Sequence, residues 1–367
     1  MQKIPILYFR SIDIFKVSLA LVVLGVHLEG VLSRYSLTPS SYVFPFKNVA
    51  VPLFFLISGF VSAYFLEARY ANHPYFNPFS FLFRKVRSIF ATYYIFLLPC
   101  LGVWLYAPWL FNTATDHKTD IFASLALLPT QPGEMPLINV TWSLSFTLYY
   151  YFFIIVATYF FRRQYLYIVA IYACAIFVKS HYQIRFDNIY AETIFSNHLL
   201  YFFSGNFIAY RLIHPTHRLI PLNGIIIAGI ALTKENNFLL FLVLWALLEV
   251  LIYHEFRRRR PNRRSAFMDF LVRSSFTLFI SHNLVMGVIK HLWVLYGIAT
   301  PGWHAFYIAL LLLLPVLFAL AFEWLRHVSQ DYFKIRLLPN LSRNSVNIHE
   351  TRLKDTRRPT GNQVARL

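Results

Sequence analysis

The chain is predicted to be an all-α membrane protein, a bundle of about ten transmembrane helices with both termini on the cytoplasmic side. Composition is the first reason: of 367 residues 57% are hydrophobic and only 14% charged, with a mean hydropathy of +0.51, far from the balance of a soluble domain. The second is that apolar runs of about 15 to 22 residues recur along most of the chain. The third is the uneven sharing of Lys and Arg between alternate connections, because cytoplasmic loops keep basic residues and translocated loops shed them.

Taken in order, the runs fall near 14–32, 48–66, 89–110, 142–161, 165–179, 197–213, 219–233, 238–254, 272–290 and 304–326. Two of them, 165–179 and 219–233, are short enough to suit a buried or re-entrant segment as well as a span. With both ends inside, 27 of the 34 basic residues face the cytoplasm and seven face out. The net charge of +18 is therefore topological, and a chain whose basic residues are scattered over short loops has no nucleic-acid footprint. The first run is full length with no small-residue cleavage site after it, so it reads as a retained span. Cys100 and Cys174 both fall inside spans, which argues against a disulfide framework and a cysteine metal site. Residues 1–335 form one membrane domain on this reading, and 336–367 a basic, mostly disordered cytoplasmic tail.

Polar residues inside apolar runs carry the functional information. His27 lies in the first span, eleven positions after Lys16; at 3.6 residues per turn the two share one stripe about 16 Å apart along the axis. An imidazole in hydrocarbon is costly unless it lines a polar cavity. His282 lies at similar depth in the ninth run, which suits either a shared cavity with His27 or a helix–helix hydrogen bond. His214 and His217 lack neighbouring carboxylates or cysteines, so no metal site is expected.

Before the third span, Arg84 and Arg87 are three residues apart on one helical face. They suit either a phosphate clamp or ordinary positive-inside anchoring. Arg257 to Arg260 reads as a lipid-headgroup anchor. On the outer side the long loop 111–141 carries Asp116, Asp120 and Glu134 and leads into Thr141-Trp142-Ser143. A loop of that length usually has a task. Trp142 suits sugar stacking, and equally an interfacial aromatic belt.

These residues together resemble the acyltransferase-3 family of bacterial membrane acyltransferases. The resemblance is spread over most of the chain. Asp13-x-x-Lys16 followed by ten residues and His27 is similar to the family's Asp-x-x-Arg and His. Pro52-Leu53-Phe54-Phe55-Leu56-Ile57-Ser58-Gly59-Phe60 is similar to its second-span motif, and Arg84 and Arg87 to its Arg-x-x-Arg. Trp142-Ser143-Leu144, Phe202-Phe203-Ser204-Gly205 and Ser275 through Ser281 and His282 follow in the family's order. There are two departures: Lys16 stands in place of Arg, keeping the charge but losing the planar fork, and Thr147 stands where many members have Glu.

The resemblance implies transfer of an acyl group, most often acetyl, from cytosolic acyl-CoA to a hydroxyl of an extracytoplasmic polysaccharide. Lipopolysaccharide O-antigen and exopolysaccharide are the leading acceptors. It implies catalytic roles for His27, Lys16 and Asp13, coenzyme A contacts from Arg84, Lys85 and Arg87, and acceptor or cavity roles for Trp142, Ser143, Ser58, Ser281 and His282. A neutral His27 would take the hydroxyl proton during attack on the thioester, or would carry the acyl group itself in a ping-pong route. No bound cofactor or metal is implied, since acetyl-CoA or another acyl-CoA is a substrate. The partners implied are acyl-CoA, a glycan, the lipid bilayer, and either further copies of the chain or a polysaccharide-synthesis complex, in a bacterial inner membrane. The competing class is a sugar or acyl-substrate transporter or flippase, which inverted repeats with broken helices would favour; the sequence lacks them.

Overall fold

The computed structural model describes residues 4, 7–34, 46, 48–73, 75–108, 118–162, 164–214, 226–227, 230, 237–258, 264–295 and 303–355, and side chains as far as Ser329. It is 83% helical. In chain order the helices are α1 (Arg10–Arg34), α2 (Ala50–Asn72), α3 (Pro78–Tyr106), α4 (Ile121–Ala126), α5 (Thr141–Phe161), α6 (Tyr165–His181), α7 (Ile189–Ile194), α8 (His198–Ile213), α9 (Phe238–Arg258), α10 (Ala266–Leu295) and α11 (His304–Asp355). Two compact units are formed, Met1–Ala319 and Leu320–Leu367; the site residues all lie in the first.

Seven of the described helices are long and apolar enough to cross a membrane: α1, α2, α3, α5, α9, α10 and the first half of α11. The expected count of ten is not confirmed among the described residues, for two reasons. α6 and α8 hold 17 and 16 residues, about 24 to 26 Å at 1.5 Å per residue, shorter than a hydrocarbon core of about 30 Å. The expected seventh span, 219–233, lies almost wholly outside the described residues, as do Asp116, His217, Arg259 and Arg260.

α8 explains its own shortness. Every residue from Leu199 to Ala209 is buried, and a helix apolar on all sides belongs at the centre of a bundle. α2 lies against it. At their crossing a Cβ added to Gly59 would run into the Phe202 carbonyl, and one added to Gly205 would run into the Leu56 carbonyl. In lipid there is little hydrophobic drive between helices, so association depends on such close backbone approach by small residues. The two Ser-Gly pairs, Ser58-Gly59 and Ser204-Gly205, are thus the two halves of one contact. Tyr150 of α5 completes it, donating from its hydroxyl to Asn206 Oδ1 (2.5 Å) and approaching the Gly59 carbonyl (3.4 Å).

α1 packs on α10 and α11 instead. Ala20, Leu24, Leu28 and Leu32 recur every four residues and meet Leu278, Met286, Ile289 and Trp293 of α10, with Tyr307 and Leu311 of α11 behind them. This spacing is a single helical face. His282, between Leu278 and Met286, interrupts the apolar stripe that α10 turns to α1.

Between α3 and α5 the chain builds a small folded cap. Strands β1 (Lys118–Asp120) and β2 (Glu134–Pro136) pair in parallel. Asp120 accepts from Ala123 N (2.8 Å) as the N-cap of α4. Tyr93 and Tyr94 of α3 donate to the Ser124 and Leu125 carbonyls, both at 2.7 Å. A second cap follows α6, where Lys179 pairs with Glu192 of α7. Burial raises the Glu192 carboxyl, but the Lys179 hydrogen bond and the Phe186 amide together hold it below its ordinary value.

Candidate active site

Two groups of polar residues sit along α1. At the first, His27 and His282 are in ring contact, with centroids 4.8 Å apart and planes inclined at 51°. His282 is completely buried and His27 half-buried. The His282 ring is also flanked by Phe279 (6.5 Å), which touches Phe54 of α2 (5.6 Å). Ser58 is one turn along α2 from Phe54 and shares that face. Ser281 is fully buried and its hydroxyl has no partner among the described residues; the same is true of the buried Ser274 hydroxyl two turns away.

His282 hydrogen-bonds through Nδ1 to the Leu278 carbonyl at 3.0 Å. A carbonyl oxygen only accepts, so Nδ1 carries the proton. Nε2 is buried and has no hydrogen-bond partner among the described residues. In the neutral ring it is therefore a free acceptor beside His27.

The second group lies three turns away at the basic end of α1. Asp13 is held by Arg264 in a two-point grip, Nε to Oδ2 and Nη2 to Oδ1, each 2.7 Å, the fork geometry that makes such pairs strong. Arg264 also reaches Asp269 (2.7 Å) and lies over the Tyr8 ring (5.8 Å). The Tyr8 phenol is pushed up to about 12, first by burial and then by its hydrogen bond to Asp13. Lys16, three positions after Asp13, makes no ion pair among the described residues. It lies within electrostatic range of Lys85, Asp13 and Arg264. Lys16 thus has two further cations, Lys85 and Arg264, within range, and Arg273 joins Arg264 on Asp269 (2.6 Å).

Arg84, Lys85 and Arg87 fall inside the first turns of α3 rather than in the loop before it. Lys85 turns inward over the Phe81 ring (5.6 Å). Arg84 and Arg87 are exposed, with no ion pair among the described residues.

Trp142 and Ser143 do not join the histidine pair. The Ser143 hydroxyl donates to the Val140 carbonyl (2.9 Å) at the start of α5. Trp142, 38% exposed, belongs to an aromatic cluster with Phe146, Phe55 and His198 of α8; the His198 ring is 5.0 Å from Phe146, 5.4 Å from Trp142 and 5.9 Å from Phe55. Phe55 follows Phe54, so α2 turns one aromatic toward the histidine pair and the next, about 100° round, toward Trp142.

Sequence reasoning missed Arg264 and His198. Arg264 looked like one more member of a basic run, and its partner is 251 positions away. His198 opens the sixth apolar run, and an imidazole at that position was the available signal.

Apolar helices that bury a histidine pair and collect cations at one end define a multi-pass membrane protein with an internal polar site. The family profile described as an acyltransferase domain matches residues 9–322. The chain belongs to the acyltransferase-3 family and is a membrane acyltransferase. Neither the curated proteins nor the solved structures compared with it gave a match.

Proposed function

We propose that this chain is an O-acyltransferase, foremost an O-acetyltransferase, that carries an acyl group from cytosolic acyl-CoA to a hydroxyl of an extracytoplasmic polysaccharide such as O-antigen or exopolysaccharide. The bacterial inner membrane is its proposed place. The observation that carries the reading is the arrangement along α1. A cationic group of Lys16, Lys85 and Arg264 lies at one end, and three turns further on an imidazole sits against a second, buried imidazole with a free acceptor nitrogen.

Cations at that end suit the phosphates of coenzyme A, with Arg84 and Arg87 exposed and uncommitted beside them. The unpartnered Ser274 and Ser281 hydroxyls suit the amide groups of a pantetheine arm running toward His27. There the ring takes the proton of the attacking sugar hydroxyl as oxygen bonds to the thioester carbon; the carbon–sulfur bond breaks and the thiolate leaves, recovering a proton. Trp142, with its aromatic neighbours, suits a sugar ring approaching from the other end.

Transfer of radiolabelled acetyl from acetyl-CoA to surface polysaccharide tests the proposal. His27→Ala is expected to fall at least about 100-fold, within the usual weight of a general base. Arg87→Ala is expected to raise KM for acetyl-CoA while leaving KM for the glycan unchanged. Equal activity of His27→Ala and the parent would remove His27 from its role.

A further inference from the structure

We propose that His282 is a positioning residue for His27, its Nε2 accepting from that ring during transfer and sharing the proton it takes. The inference rests on the proposed acyl transfer and adds to it a second histidine with a defined tautomer. Three facts carry it. The His282 Nδ1 is committed to the Leu278 carbonyl, so the proton lies there and Nε2 is left as an acceptor. That Nε2 is sealed from solvent and has no partner among the described residues, and a buried unsatisfied polar atom in a well-packed bundle calls for an explanation. Of the two described rings beside it, the nearer is His27, at 4.8 Å between centroids against 6.5 Å for Phe279.

His282 also sits where an apolar residue would pack better. Its neighbours along the same face, Leu278, Met286 and Ile289, belong to the apolar cluster between α1 and α10. A histidine serving only helix association would aim a nitrogen at a partner on the neighbouring helix. This one uses one nitrogen to fix its own ring and keeps the other free, as orienting partners of catalytic imidazoles do.

The step balances as follows. The acceptor hydroxyl gives its proton to one nitrogen of His27, while the other nitrogen passes its own proton to His282 Nε2. The hydroxyl oxygen bonds to the thioester carbon and the carbon–sulfur bond breaks. The coenzyme A thiolate then takes a proton from His27 as His282 returns its own, leaving both rings neutral and giving ester and thiol.

The test uses the full-length chain in liposomes with radiolabelled acetyl-CoA and surface polysaccharide. His282→Leu is expected to lower kcat about 30-fold or more with KM for acetyl-CoA within twofold of the parent. His282→Gln keeps an acceptor oxygen within reach of the Nε2 position and is expected to recover part of that loss. Full kcat in His282→Leu, or an equal loss in both variants, would overturn the proposal.

A measurement on the unaltered chain guards against a variant that does not fold. Single-turnover rates in mixtures of light and heavy water are expected to bow below a straight line, as two protons in flight require; a straight or flat dependence would overturn the relay. The two readings fail separately. If His27→Ala is inactive while His282→Leu is not, only the role of His282 falls; if both are fully active, the transfer mechanism falls with it.

Discussion

Lys16 lies three positions from Asp13 on the same helix, yet it is Arg264 that pairs with that carboxylate. The Asp13 carboxylate, almost fully buried, belongs to Arg264, and removing one partner of a buried ion pair leaves the other uncompensated, which costs about 3 to 5 kcal/mol where burial is complete. Arg264 is about a third exposed, so the expected loss for Arg264→Ala is toward the low end, seen as a lowered Tm in detergent. Arg87→Ala, which breaks no ion pair among the described residues, is expected to leave Tm unchanged. Lys16 is then free for the donor: Lys16→Met is expected to raise KM for acetyl-CoA about tenfold, while Lys16→Arg, which restores the family's residue, stays within threefold of the parent. Unchanged KM in Lys16→Met would separate Lys16 from donor binding. What was legible at this scale was the stripe: a separation of eleven positions puts Lys16 and His27 on one face by helix geometry alone. Which carboxylate each cation meets was not, because Arg264 reaches Asp13 through the fold across more than two hundred residues.

The elements were legible where they were long and apolar, and less so where they were short. Burial on all sides lets α8 be short, a property that hydropathy cannot distinguish from a poor span. The motif around Gly59 was visible as a pattern; its cause, the Gly205 backbone pressed against it, was not. Gly59→Ala and Gly205→Ala are each expected to destabilise by about 3 kcal/mol or more, since the obstacle is backbone that cannot repack like a side chain. Gly30 and Gly102 also lie in helices, but nothing stands within 4 Å of an added Cβ. Alanine there is expected to be neutral or stabilising by up to about 1 kcal/mol. Thermal unfolding of the four variants decides the point, and equal effects at all four would contradict the crossing.

At the level of the cap after α6, Glu192→Gln tests a weaker contact. The folded carboxyl lies below its ordinary value, so its stabilisation is complete above the ordinary carboxylate range and is lost as pH falls through the folded value. The Tm difference between parent and variant should be small at pH 7, as partly exposed pairs contribute about 0 to 1 kcal/mol, and should close in acid. A difference that widens in acid would contradict the assignment.

For the whole molecule, the distribution of basic residues predicts sidedness, and the folded chain supplies positions at which to measure it. Tyr75, just before α3, and Tyr182, just after α6, are both highly exposed. In a chain lacking Cys100 and Cys174, a cysteine at 75 is expected to react with an impermeant thiol reagent only from the cytoplasmic side, and one at 182 only from outside. The reverse pattern would put the cationic group at the wrong face for cytosolic acyl-CoA. The central claim is that His27, paired with His282, is the group at which acyl transfer occurs. Its most direct test is acetyl transfer from labelled acetyl-CoA to surface polysaccharide by membranes containing either the parent chain or His27→Ala at equal, folded abundance. The expected result is transfer by the parent and at most about 1% of it by the variant; parental transfer without the imidazole would contradict the account.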